Sequence, residues 1–166
     1  ALKNAKKIIK DTKCDAVKLE RGKKIIKPVN YFIKNNIPVM GHLGVLPQTI
    51  KGKFKSKGKT EREKRTLIND AILLQNSGVF AIVLECIKTS TAKKITEILK
   101  IPTIGIGSSV NCDGQVLVTD DLIGLNDTKI KFVKKFINIK KYINFGLKKF
   151  TKEVRAKKYP SKKHSY

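Results

Sequence analysis

Several things are scarce in this chain. No run approaches the roughly 20 uncharged apolar residues that a membrane helix needs. No short apolar stretch with a small-residue cleavage site opens it, so neither a membrane span nor a secretory leader is expected. Cysteine is sparse: Cys14, Cys86 and Cys112 are odd in number, widely spaced and without a CxxC pair. That pattern suits a reducing compartment and argues against a zinc site. Acids are scarce too, with 13 Asp and Glu against 37 Lys and Arg and a formal charge of +24. Such a balance raises a nucleic-acid reading. Yet arginine, whose planar fork serves phosphate and base-edge recognition, occurs only at Arg21, Arg62, Arg65 and Arg155. Lys, Ile and Asn recur wherever the pattern allows, as in Lys34-Asn35-Asn36-Ile37. Codons of an A- and T-rich genome give that look, so the charge reads as drift ahead of function.

What is present is enough for one domain over 1–166, since 166 residues with 40% hydrophobic content can build a packed core. Short β-branched runs alternate with longer helical stretches. Leu2, Ala5, Ile8 and Ile9 have helical spacing, and Ala16 to Glu20 reads as a strand. A helix is expected over about 23–36, a strand over Pro38-Val39-Met40-Gly41-His42, and a Lys- and Gly-rich loop over about 43–60. Thr60 with Glu63 forms a capping-box pattern opening a helix over 61–77, with Gly78 as its C-cap candidate. Phe80 to Leu84 is apolar without alternation, as in a strand buried on both faces. A helix over 90–100 and a strand over Pro102 to Gly107 follow. Gln115 to Val118 reads as a fifth strand or a helix start, and the tail 129–166 as helical at first, then ragged. Repeated strand–helix units imply a parallel α/β sheet, either open and doubly wound or part of a (β/α)8 barrel.

In both architectures chemistry collects at strand C-termini, and here those ends carry Lys18 with Glu20, His42, Glu85, and Gly105 with Gly107. Lys18 and Glu20 lie two apart, hence on one face of a strand. They read as an exposed ion pair or, at a barrel mouth, as a cation ligand beside an oxyanion-stabilising lysine. Glu85, after four apolar residues, reads as a partly desolvated general base or as a carboxylate at the N-terminus of the next helix. His42, flanked by Gly41 and Gly44, reads equally as a pocket residue or a satisfied hydrogen-bonder. Gly105 to Ser109 lacks the spacing and lysine of a phosphate loop. Cys86 and Cys112 have no partner histidine in a motif, which argues against a cysteine nucleophile.

The same residues carry a family resemblance. Val17-Lys18-Leu19-Glu20, Pro38-Val39-Met40-Gly41-His42-Leu43-Gly44 with Pro47-Gln48, Val83-Leu84-Glu85-Cys86, and Pro102 to Gly107 with Asp113-Gly114-Gln115 resemble the ketopantoate hydroxymethyltransferase family in order and spacing. The closing Tyr159-Pro160 and His164-Ser165 extend the resemblance over nearly the whole chain. It implies a (β/α)8 TIM barrel of the phosphoenolpyruvate-dependent superfamily, of which only about the last five β/α units are present and the first three strands are missing. It implies a cytoplasmic homodecamer in pantothenate biosynthesis. Its reaction transfers a hydroxymethyl group from 5,10-methylenetetrahydrofolate to the ketoacid 3-methyl-2-oxobutanoate, giving 2-dehydropantoate through a Mg2+-stabilised enolate. By resemblance, Glu85 is the proton acceptor, Lys18 the ketoacid-binding lysine and Glu20 a magnesium ligand, while His42 lines the pocket without a catalytic step. The family's two metal-binding aspartates have no counterpart here.

Two departures stand out. After Pro47-Gln48 the family's glycine-rich aromatic loop is replaced by the shorter, more basic Lys51-Gly52-Lys53-Phe54-Lys55, and Gly107 is followed by Ser108-Ser109 where the family favours Ala-Gly. A rival reading rests on 129–166, which holds 14 Lys and Arg against the single acid Glu153, with Ile130, Val133, Phe136 and Ile137 at helical spacing. A basic amphipathic helix of that kind would bind nucleic acid or another anionic surface. The alternative is a barrel-closing helix that buries its apolar face and leaves its lysines in water. The second reading is preferred, with neither membrane nor specific nucleic acid as a partner.

Overall fold

A computed structural model describes residues 2–46, 55–127 and 129–166. The Pro47-Gln48 motif and most of the basic loop after it lie outside the described residues. The chain divides into two compact units, Ala1–Val116 and Leu117–Tyr166.

The first unit alternates helix and strand as the periodicity predicts. It runs α1 (Leu2–Thr12), β1 (Val17–Glu20), a 3-10 turn (Gly22–Ile25), α2 (Ile26–Ile33), β2 (Val39–Gly44), α3 (Glu61–Asn76), β3 (Ala81–Glu85), α4 (Thr89–Ile98), β4 (Thr103–Ile106) and the two-residue β5 (Gly114–Gln115). All four strand pairings are parallel, and the spatial order is β1-β2-β3-β4-β5. This order decides between the two architectures. A doubly wound sheet reverses its strand order at a switch point, whereas a barrel adds each strand beside the last. The sheet is an arc of barrel type.

Strand alternation sorts the side chains into two faces. Val39 and Leu43 of β2 and Ile82 and Leu84 of β3 point to the helix side. There they form one core with Val29 and Phe32 of α2, Ala71 and Leu74 of α3, and Ala92 and Ile95 of α4. Burying a side chain such as Leu84 stabilises the fold by about 1.5–3 kcal/mol. The register sets Glu20 opposite His42, His42 opposite Val83 and Gly44 opposite Glu85, so the other face carries Lys18, Glu20, His42 and Glu85.

Local signals explain the helix ends. Glu63 N–H donates to Thr60 Oγ1 at 3.2 Å, and Glu63 Oε2 accepts from the Lys59 N–H at 2.9 Å. The capping box thus closes one residue earlier than its simplest form, and that amide holds the Glu63 carboxyl below its usual value. Gly78, at φ +88°, follows the Ser77 cap. Where the sequence predicts one helix over 23–36, the chain first makes the 3-10 turn, entered through Arg21 at φ 99°.

The second unit departs further from expectation. The tail is irregular first and helical later, the reverse of what its spacing predicts. The Phe136 and Ile139 amides donate to the carbonyls of Leu122 and Ile123, drawing 130–138 back along the short α5 (Thr119–Leu122). These backbone bonds outcompete the helical spacing of Ile130, Val133 and Phe136. The helix α6 starts at Ile139, where the Asn138 side chain accepts from the Lys141 N–H, and runs to Arg155. None of its seventeen residues is buried. Beyond it, Tyr159 packs edge-on against Phe150 with centroids 5.4 Å apart.

Candidate active site

The C-terminal ends of β1, β2 and β3 bring three polar side chains into a row. The His42 imidazole, 1% exposed, lies between two carboxylates. Its Nδ1 is 3.5 Å from Glu20 Oε1, and its Nε2 is 3.4 Å from Glu85 Oε2 and 3.0 Å from the Val45 carbonyl oxygen. Lys18, two residues before Glu20 on the same face, is exposed above them. It makes no ion pair with Glu20 among the described residues, so the edge ion pair is not what places these two residues together.

Burial sets the electrostatics of the row. Loss of water pushes the Glu85 carboxyl up, opposed by the Lys18 charge and assisted by that of Glu20. The same loss of water pulls His42 below its ordinary value, and the charge of Lys18 adds to this; the Glu20 carboxylate and the Val45 carbonyl pull the other way. The group thus pairs a reluctantly ionised carboxyl with a neutral imidazole, a combination suited to accepting a proton from carbon.

The backbone around Glu85 is held tightly. Val45 N–H donates to the Glu85 carbonyl at 2.9 Å, and Cys86 N–H donates to Ile106 O at 2.9 Å. Gly44, at φ +104°, passes so close that a Cβ there would collide with the Glu85 carbonyl oxygen. Cys86 itself sits at φ 51°, a left-handed conformation costly for a side-chain-bearing residue. The reading of Glu85 as a helix-terminal carboxylate has no support, because α4 begins at Thr89 and has no acid in its first turn.

Other motifs resolve into structural roles. Ser108 Oγ donates to Ile87 O, Ser109 Oγ to Asn111 Oδ1, and Thr89 Oγ1 to Ser108 O, so the hydroxyls after Gly107 are occupied internally. Cys86 and Cys112 are buried free thiols, and burial raises the Cys86 thiol away from reactivity. Asp113 accepts from both the amide and the hydroxyl of Thr103, tying β5 to the start of β4 and holding the Asp113 carboxyl low.

Sequence reasoning missed two features. The Val45 carbonyl, which fixes the His42 ring, has no residue-type signal. A cavity of about 370 Å3 opens beside His42, between Arg21, Lys24, Leu67 and Asp70. Asp70 is 47 positions from Lys23, whose amide it accepts at 3.4 Å, and only the folded arrangement joins them.

A sequentially ordered parallel β/α arc, with its ionisable side chains gathered at strand C-termini, defines a barrel-type enzyme scaffold. Residues 1–162 match the family described as ketopantoate hydroxymethyltransferase. Relatives named 3-methyl-2-oxobutanoate hydroxymethyltransferase from Pelagibacter ubique, Clostridium botulinum and Phenylobacterium zucineum are 61%, 44% and 40% identical to it, each over its full length. The chain belongs to the ketopantoate hydroxymethyltransferase family. It spans 61–64% of the length of these three relatives.

Proposed function

We propose that the protein carrying this chain forms 2-dehydropantoate from 3-methyl-2-oxobutanoate and 5,10-methylenetetrahydrofolate. The observation that carries this reading is the placement of Glu85, desolvated at the end of β3, on the same sheet face as Glu20 and Lys18. The C3–H beside a ketone is a weak acid. Glu85 takes that proton, and Lys18 places its positive charge near the ketoacid oxygens, where negative charge develops. The resulting carbon nucleophile forms a C–C bond to the one-carbon unit, whose two C–N bonds to the folate break; one water supplies the hydroxyl oxygen, and the two folate nitrogens each take up a proton as tetrahydrofolate departs.

The donor chemistry fits a hard divalent cation in part. Glu20 offers a carboxylate oxygen, and beside it the buried His42 Nδ1 has no hydrogen-bond partner among the described residues. Two facing acceptors at 3.5 Å leave room for a cation or a donor. No cluster of three or more His, Cys, Asp and Glu suited to a metal occurs among the described residues, so Glu20 would be one ligand of a larger set. When bound, Mg2+ would stabilise charge on the keto and carboxylate oxygens. A cytoplasmic location and a homodecameric assembly belong to the same proposal. The test is product formation by the full gene product with and without a chelator of divalent cations. Chelator-sensitive formation of 2-dehydropantoate is expected, and none under either condition overturns the reading.

A second reading has its own observation. On α6, Tyr142, Phe145, Leu147 and Phe150 are exposed among lysines, as on a helix that meets an anionic surface. Such binding would fall steeply with salt and be indifferent to Glu85→Gln.

A further inference from the structure

His42 does more in this geometry than line a pocket. Its Nε2 faces two acceptors, the Val45 carbonyl at 3.0 Å and Glu85 Oε2 at 3.4 Å, and a nitrogen facing acceptors carries the ring proton. Nδ1 is therefore a bare acceptor, a buried side-chain atom with no hydrogen-bond partner among the described residues. The same Nε2–H stands 3.4 Å from Glu85 Oε2, and the Val45 amide holds the Glu85 carbonyl at 2.9 Å. Ring, Val45 peptide and Glu85 thus form a closed circuit joining β2 to β3. Gly44 lets the circuit close by omitting the Cβ that would strike the Glu85 carbonyl.

We propose that His42, held in its Nε2–H tautomer by the Val45 carbonyl, is a positioning residue that aims the Glu85 carboxylate at the substrate C–H. The proposal rests on the reading of Glu85 as the base. A side-chain carboxylate on a strand end has free χ torsions, and a misplacement of about 1 Å can cost two orders of magnitude in rate. His42 contributes by restricting that freedom and exchanges no proton itself.

The test uses the full gene product and the half-reaction that needs no folate, exchange of the C3 proton of 3-methyl-2-oxobutanoate with D2O followed by proton NMR. A Gln side chain reaches the Nε2 position with an amide donor, while Asn reaches only as far as Nδ1. His42→Asn should lower the exchange rate at saturating ketoacid by about 10-fold or more, with the ketoacid KM changed less than about 2-fold, and His42→Gln should recover most of the loss. In the unsubstituted chain, imidazole 15N shifts should show the neutral Nε2–H form of His42, a readout independent of activity. Equal losses in Asn and Gln variants, a loss confined to KM, or an Nδ1–H tautomer would each overturn the positioning role. Exchange that persists in Glu85→Gln defeats the base assignment instead. No exchange by the unsubstituted protein removes the functional reading and this inference together.

Discussion

β3 and α6 are both rich in apolar residues and end at opposite extremes. All five residues of β3 are buried, and none of the seventeen of α6 is. The strand gains its cover from its topology, because parallel neighbours on both sides require helical crossovers that lie across the sheet. The periodicity of the helix specifies an apolar face without itself naming what covers that face. Pattern strength and burial are therefore separate quantities, and chemistry that depends on desolvation sits where topology guarantees cover.

The sharpest way to break this contrast is by truncation. Leu84→Ala should lower unfolding free energy by about 2–5 kcal/mol, whereas Leu147→Ala should stay within about 0.5 kcal/mol, both read from urea midpoints. Similar losses would erase the distinction between the two regions. Activity sharpens it further. Glu85→Gln in the full gene product should reduce turnover at least 100-fold, about 2.7 kcal/mol in the barrier, as expected for loss of a general base. Lys148→Gln with Lys149→Gln on α6 should leave turnover near its starting value, and a comparable drop there would move the function to the basic helix.

The smallest effect is a pH dependence of stability. Below about pH 6.5 the unfolded chain protonates His42 while the folded chain resists. The unfolded state then binds more protons, so native stability is lost as pH falls through that window. Glu85 acts in the opposite sense: its raised carboxyl keeps its proton longer when folded, so its contribution is lost as pH rises above the ordinary carboxyl range. His42→Gln should therefore flatten the loss of stability from pH 7 to 5 in thermal unfolding. An unchanged slope would show that burial of His42 is not its source.

Much of the first unit was legible from period and punctuation. The unbroken apolar run before Glu85, the Thr60 and Glu63 spacing and Gly78 all act through neighbours a few positions away, and each is found in place. Lys18, Glu20, His42 and Glu85 could be assembled because strand C-termini share one end of a parallel sheet. What failed was local pattern set against distant backbone bonds, as in the tail, where Phe136 and Ile139 bond to Leu122 and Ile123. The tie from His42 to Val45 was invisible for another reason: a carbonyl oxygen is common to every residue, so no letter of the sequence marks it.

The strand order also sets the pitch of the row. Glu20, His42 and Glu85 stand on three consecutive strands, each bonded to the next along a parallel register. Neighbouring strands lie about 4.8 Å apart, so the spacing of the three side chains is built into the backbone ladder. A slip of β2 by one residue would turn His42 to the helix face and abolish the row at a stroke.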